Sequence, residues 1–257
     1  MSDKDFPSGH DPRRSLALLW GRQEAGRRGP KQRLSTEEVV QAAIALADAE
    51  GLAALSMRRV AETVGVSPMS LYTYVPSKAE LVDLMFDRAL GATADPGDGV
   101  DGWRAKVAFI ARERWALVER HPWFLDLPLH RPPLGPNVLR KAEVLMAALD
   151  GAGLAALDIS LVAEALQNYI TGAQQSARDA RDAEIRSGIT DEQWIEMLRP
   201  VLEEHFDAAV YPALARMGEA RQKAPVSHSE RTARFEFGLE CMLDGLEAYI
   251  GKRHAVT

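Results

Sequence analysis

Apolar residues recur at intervals of three and four along most of the chain, and no stretch alternates with period two between hairpin turns. The pattern predicts an all-α fold. Ser35 opens the first clear helix. Glu38, three residues on, completes a capping box: the hydroxyl accepts a backbone N–H and the carboxylate reaches back to the cap. Val39, Ala42, Ala43, Leu46 and Ala47 follow at helical spacing, and Gly51 ends the helix. A short helix spans residues 56–64 and stops at Gly65, where Gly65-Val66 makes a tight turn. Ser67 caps the next helix and Pro68 takes its first position, where the missing N–H costs nothing. Pro76 ends that helix at once. Ser77 opens another, with Glu80 as a second capping box, running to about Ala92.

Residues 94–102 read as a linker by their Gly, Asp and Pro content. Helices are predicted beyond it at 102–120, 136–152, 158–187, 191–217 and 228–251, with Asp158 and Asp191 as N-caps. His121-Pro122 and Arg131-Pro132-Pro133 break the middle region. The chain therefore divides into an arm (1–33), taken as flexible, a small helical head (34–94) and a larger helical body (95–257).

The 257 residues carry a net charge of −6, which by itself argues against a nucleic-acid partner. The distribution reverses that. Residues 1–34 are net +4, 35–90 net −4 and 91–257 net −6, and the basic excess lies within residues 22–33. A basic arm on an acidic body is either a solvated tail or an electrostatic footprint for an acidic partner. The longest purely apolar runs, 42–47 and 144–149, fall far short of the ~20 residues of a membrane-spanning helix. The lone Cys241 excludes an intramolecular disulfide and any multi-cysteine zinc site. Together with the absence of a secretion signal, this leads us to expect a cytoplasmic protein with no membrane partner.

Two short helices joined by a glycine turn make a helix-turn-helix. Leu71 and Val75 point to its core, while Pro68, Met69, Ser70, Tyr72, Thr73 and Tyr74 remain for the outside. A short protruding helix of this kind fits the B-DNA major groove, ~12 Å wide. The hydroxyls of Ser67, Ser70, Tyr72, Thr73 and Tyr74 can donate to phosphates or base edges. Lys78 adds charge at the next helix start, and Arg58 can reach a guanine. Arg22, Arg27, Arg28, Lys31 and Arg33 can track phosphates or enter a minor groove.

Ala61, Gly65-Val66, Leu71-Tyr72, Tyr74-Val75, Lys78 and Leu81, in one ungapped frame, resemble the DNA-binding head of the tetracycline-repressor (TetR) family. The resemblance extends over residues 34–90, and the run from Phe237 to Glu247 resembles that family's C-terminal domain. It implies a base contact for Arg58 and base-facing positions for Pro68, Met69 and Ser70. It implies phosphate contacts for Ser56, Tyr72, Thr73, Tyr74 and Lys78. Pro68-Met69 favours apolar contact with a thymine methyl over a hydrogen-bond code.

In the last helix Phe235, Leu239, Met242, Leu246 and Tyr249 form a large apolar stripe beside a small one of Gly238, Cys241, Gly245 and Ala248. The small stripe is expected to be a homodimer interface, completed by part of 191–217; the alternative is packing within one chain. On the helix at 158–187, Gln167, Thr171, Gln174 and Arg178 make one polar ridge, either solvated or lining a cavity. Trp103, Phe109, Trp115, Trp123 and Phe124 are core or the wall of a pocket. With Trp115, His121 and Trp123, the ridge gives a candidate ligand set. The family's tetracycline repressors hold a magnesium–drug complex through histidines in this region. No residue here can be matched to them, so neither cofactor nor metal is expected.

Residues 97–102 satisfy G-x-G-x-x-G but follow a helix, and Asp98 and Asp101 would repel a pyrophosphate. No motif assembles a nucleophile and base, so no enzyme is expected. The reading is a ligand-responsive repressor that binds a palindromic operator on double-stranded DNA as a homodimer and is released by a small-molecule inducer. The alternative is an architectural or activating DNA-binding protein that senses nothing.

Overall fold

The computed structural model describes residues 12–21, 34–128, 130–223 and 230–254. The regular elements among them are helices: α1 (Pro12–Leu19), α2 (Thr36–Glu50), α3 (Met57–Thr63), α4 (Pro68–Leu71), α5 (Lys78–Gly91), α6 (Gly102–Arg120), α7 (Pro136–Asp150), α8 (Ala156–Ser187), α9 (Asp191–His205), α10 (Pro212–Lys223) and α11 (Glu230–His254). Short 3-10 turns lie at Leu52–Ala54 and Pro122–Asp126.

Local hydrogen bonding sets the head's helix starts. The Ser35 hydroxyl accepts from Glu38 N at 3.2 Å, and Ser35 N donates to the Glu38 carboxylate at 2.7 Å. That backbone bond foremost, and the Ser35 hydroxyl donating to the same carboxylate at 2.8 Å, hold the Glu38 carboxyl below its usual range. Ser56 and Ser67 cap α3 and α4 in the same way, and Pro68 occupies the first position of α4. Ser77 accepts from the backbone N–H groups of Ala79 and Glu80.

α3 ends in a Schellman turn. Val66 N donates to Ala61 O at 3.0 Å and Gly65 N to Glu62 O at 3.3 Å, with Gly65 at φ 72°. A Cβ there would meet nothing within 4 Å, so only the backbone conformation requires glycine. Gly65→Ala is expected to cost about 1 kcal/mol, lowering Tm by about 2–4 °C in a thermal melt.

The described residues form two compact units, one within 1–170 and 246–257, the other within 171–245. These units divide within α8 and within α11. Leu117, Trp123, Phe124 and Leu127, from beyond the linker, are buried in the same apolar cluster as Val39, Leu71, Val75 and Met85 of the head. The head shares its core with the start of the body.

Two sequence expectations change. Part of the arm is helical. α1 packs on α5, with Ser15 buried, Arg14 Nε 3.8 Å from the buried Glu80 carboxylate, and Trp20 Nε1 donating to Leu134 O at 3.0 Å. Its short length hides it in the sequence, because it depends on tertiary packing. The helix expected at 191–217 is two helices. Phe206 is extended (φ −90°, ψ 111°), the Asp207 side chain accepts from Ala209 N at 2.8 Å, and Pro212 starts α10. Continuous apolar spacing across 206–211 conceals that turn.

Smaller shifts concern caps. Thr190, not Asp191, caps α9, in a capping box with Gln193. α8 starts at Ala156, leaving Asp158 inside its first turn.

Candidate nucleic-acid interface and the body behind it

The residues of 68–74 expected to face a groove stand clear of the core. Leu71 and Val75 are fully buried, while Met69 is 76% exposed and Tyr72 45% exposed. Pro68, Ser70 and Thr73 are exposed, and Tyr74 and Lys78 are half-buried. The segment 68–75 thus presents one side to solvent and is anchored by two apolar side chains, Leu71 of α4 and Val75 after it.

The hydroxyls are not equally available. Ser67 and Ser70 Oγ are 2.9 Å apart, Ser67 also caps α4, and Thr73 Oγ1 donates to Ser70 O at 2.6 Å. Thr73 must give up that bond to donate to a phosphate. Ser56 is likewise engaged as the α3 cap, with Arg59 N donating to it at 3.3 Å.

Two consecutive arginines separate by role. Arg58 is exposed and rests on exposed Glu62, Nε to Oε1 at 2.9 Å; a surface pair of this kind is worth little and releases easily. Arg59 grips Glu50 with two nitrogens, at 2.5 and 2.8 Å, and donates to Ala54 O at 3.3 Å. The hydrogen bond between them raises the Arg59 pKa and lowers that of Glu50. Arg59 staples α2 to α3, while Arg58 stays on the exposed surface. Arg22, Arg27, Arg28, Lys31 and Arg33 of the expected interface lie outside the described residues.

Two residues of the expected ligand set are engaged with the head. Trp123 is 1% exposed, and its Nε1 donates to Asp48 of α2 at 2.7 Å. His121 Nδ1 lies 2.8 Å from the same carboxylate oxygen. A carboxylate accepts, so Nδ1 carries the hydrogen. Trp123 stacks on Phe124 (centroids 4.6 Å), and Phe124 on Phe86 of α5 (5.0 Å). His121 and Trp123 therefore join head and body through Asp48. Sequence reasoning missed Asp48 because it lies over 70 residues from both partners and sits on a helix like any surface acid.

Trp115 is buried. Along α8, Gln167 is exposed, Thr171 half-buried and Gln174 buried, so the polar ridge runs from solvent inward. On α11, Phe235, Leu239, Leu243 and Ile250 are buried, and Met242 and Leu246 half-buried. The inward face follows Leu243 more than Met242. Of the small stripe, Gly238 is half-buried and Cys241, Gly245 and Ala248 are exposed. α9 buries none of its residues in this chain. Among the described residues no group of three or more His, Cys, Asp or Glu side chains could hold a metal ion, and no helix is long and apolar enough to cross a membrane.

The model of bacterial regulatory proteins of the tetR family matches residues 39–85, and that of the tetracyclin repressor-like C-terminal domain matches 95–250. The chain belongs to the TetR family. This TetR-family regulator is 40% identical to the HTH-type transcriptional repressor DrrR1 of Streptomyces coeruleorubidus, over 95% of its own length and 88% of the relative's. It is a helix-turn-helix transcriptional repressor by class. Apo ActR of Streptomyces coelicolor has a similar structure, with TM-score 0.69 and 27% identity, covering 87% of the regulator and all of ActR. ActR in complex with actinorhodin gives TM-score 0.68 and 28% identity over 86% of the regulator and all of ActR.

Proposed function

We propose that this TetR-family regulator binds a palindromic operator as a homodimer, one α4 per half-site, and that a small molecule taken up by the body releases it. The exposed side of α4, above a head whose core is fully buried, carries the reading. Met69 and Pro68 offer apolar contact to a thymine methyl, while Arg58 and Lys78 supply cations beside them.

The homodimer is supported by apolar surface that one chain leaves open. Trp194, Met197, Val201, Val210, Leu214 and Met217 of 191–217 are exposed, as are Cys241, Gly245 and Ala248. Monomers rarely leave so much apolar area uncovered, and a two-fold dimer matches two half-sites. Light scattering that stays monomeric at micromolar protein would defeat this reading. For the inducer, the support is the inward-running ridge Gln167, Thr171 and Gln174 on α8, and ActR's complex with actinorhodin. A mostly apolar site with a few polar groups would take a planar organic molecule.

The test is binding to DNA from beside the gene, in rising salt, against a scrambled duplex. Preference for the native fragment near physiological salt supports an operator; equal, salt-labile binding to both counts against one. Tyr72→Ala is expected to weaken binding about two- to tenfold on all sequences, since a lost neutral hydrogen bond is worth ~0.5–1.5 kcal/mol and a phosphate carries no sequence. A change confined to one base position would instead assign Tyr72 to base reading.

A further inference from the structure

Glu50 and Arg59 sit where their own helices do not favour them. Glu50 is the last residue of α2, at the helix end that carries partial negative charge. Arg59 lies in the first turn of α3, at an end that carries partial positive charge. Local helix physics therefore explains neither charge, and their pairing across the two helices does. Arg59 gives one nitrogen to each Glu50 carboxylate oxygen, and Nη1 also donates to Ala54 O. One guanidinium thus holds the end of α2, the 3-10 turn after it and the first turn of α3.

These bonds add little to stability. The Arg59 and Glu50 side chains are 39% and 46% exposed, where water competes well for both. Their effect is geometric. Two parallel N–H···O bonds fix the plane of the guanidinium as well as its distance, which a single contact does not. α3 has seven residues, and its buried ones, Met57, Val60 and Ala61, restrain one side of it. Arg59 restrains another side, and so opposes rotation of this short helix about its axis.

Successive helical residues lie about 100° apart around the axis. With Arg59 turned to α2, Arg58 is turned elsewhere, onto the exposed surface beside Glu62. A bidentate contact with guanine O6 and N7 tolerates little misplacement, because both bonds need good length and angle together. The direction in which Arg58 leaves α3 therefore decides whether it can make that contact.

We infer that Arg59, held by Glu50 and Ala54 O, is a positioning residue for base reading: it sets the direction from which Arg58 meets a guanine and touches no base itself. The inference rests on the operator reading above. The opposing account makes Arg59 a phosphate cation. Glu50 would then compete with DNA for it, and removing Glu50 would strengthen binding on every sequence alike.

The test starts by letting the full chain select duplexes from a random pool. Arg58→Gln then marks the base pair whose preference depends on Arg58, expected to fall there by about 5- to 150-fold. Arg59→Gln and Glu50→Gln are each expected to lower the preference at that same base pair about threefold or more. Preferences at other base pairs should stay as they were, and Tm within about 3 °C. Exchanging the pair, Glu50→Arg with Arg59→Glu, restores a fork between the helices and puts each charge at the helix end that favours it. The exchanged variant is expected to recover at least half of the lost preference on a logarithmic scale. Should Arg59→Gln not fold, Glu50→Gln carries the comparison. Unchanged preference at that base pair, losses equal on all sequences, or no recovery in the exchanged pair would overturn the inference. So would an Arg58→Gln variant with every preference intact, or uniformly stronger binding by Glu50→Gln. If the unsubstituted chain selects no sequence, the operator reading fails instead, and the hold on α3 is decided without DNA. Hydrogen exchange of the Arg59 and Val60 amides should then quicken about threefold or more in Glu50→Gln, and unchanged exchange would overturn the positioning role.

Discussion

Trp123→Ala is expected to destabilise the folded chain by about 3–5 kcal/mol, the range for deleting a large buried aromatic side chain. Trp123 is buried among head residues, stacks on Phe124 and gives its indole N–H to Asp48. The substitution opens a cavity in the shared core and leaves Asp48 with only the His121 bond. Tm should fall by about 10 °C, read by thermal or urea unfolding in the absence of any ligand. His121→Ala should cost much less, because His121 is half-buried and contributes one hydrogen bond. If Trp123 were instead a pocket wall, its loss would spare Tm and show only in the response to an inducer. A Tm within 2–3 °C of the parent would return Trp123 to the ligand set.

Changing Arg27, Arg28, Lys31 and Arg33 together to Gln should act on DNA alone. Each phosphate left without its cation makes the slope of log affinity against log salt shallower by about 0.9, so four such phosphates would account for about 3–4. The drop in affinity should be similar on native and scrambled duplexes, since phosphates carry no sequence. Salt titrations of both duplexes read this directly, and an unchanged slope would make the basic stretch a solvated tail. Deleting residues 1–33 is a poorer test, because α1 goes with them. The deletion would uncover Glu80 and release the Leu134 carbonyl from Trp20.

The head is largely legible in the sequence because its signals are local. Ser35, Ser56, Ser67 and Ser77 each cap a helix within three residues of themselves, and Gly65 turns the chain in place. Leu71 and Val75 follow from helical spacing alone. What escapes is supplied from a distance. Gly135 gives no sign of a cap, because the capping group is Asp87, about 50 residues earlier. Asp48 looks like any acid on an exposed helix face until Trp123 and His121 arrive. α1 is too short to announce itself, and the turn at 206–211 interrupts a helical spacing that does not falter. The base-facing positions of α4 follow from resemblance, and the structure adds which hydroxyls are already engaged.

The docking of α1 gives the basic stretch a fixed neighbour on each side in sequence. Trp20 fixes its beginning against the Leu134 carbonyl, and Leu34 enters the packed head at its end. Covalent geometry alone bounds how far a charge between those two residues lies from either of them, at about 3.3–3.6 Å per residue. Cutting the chain between Trp20 and Leu34 would keep every charge yet remove that bound, and affinity for DNA is expected to fall with no basic residue removed.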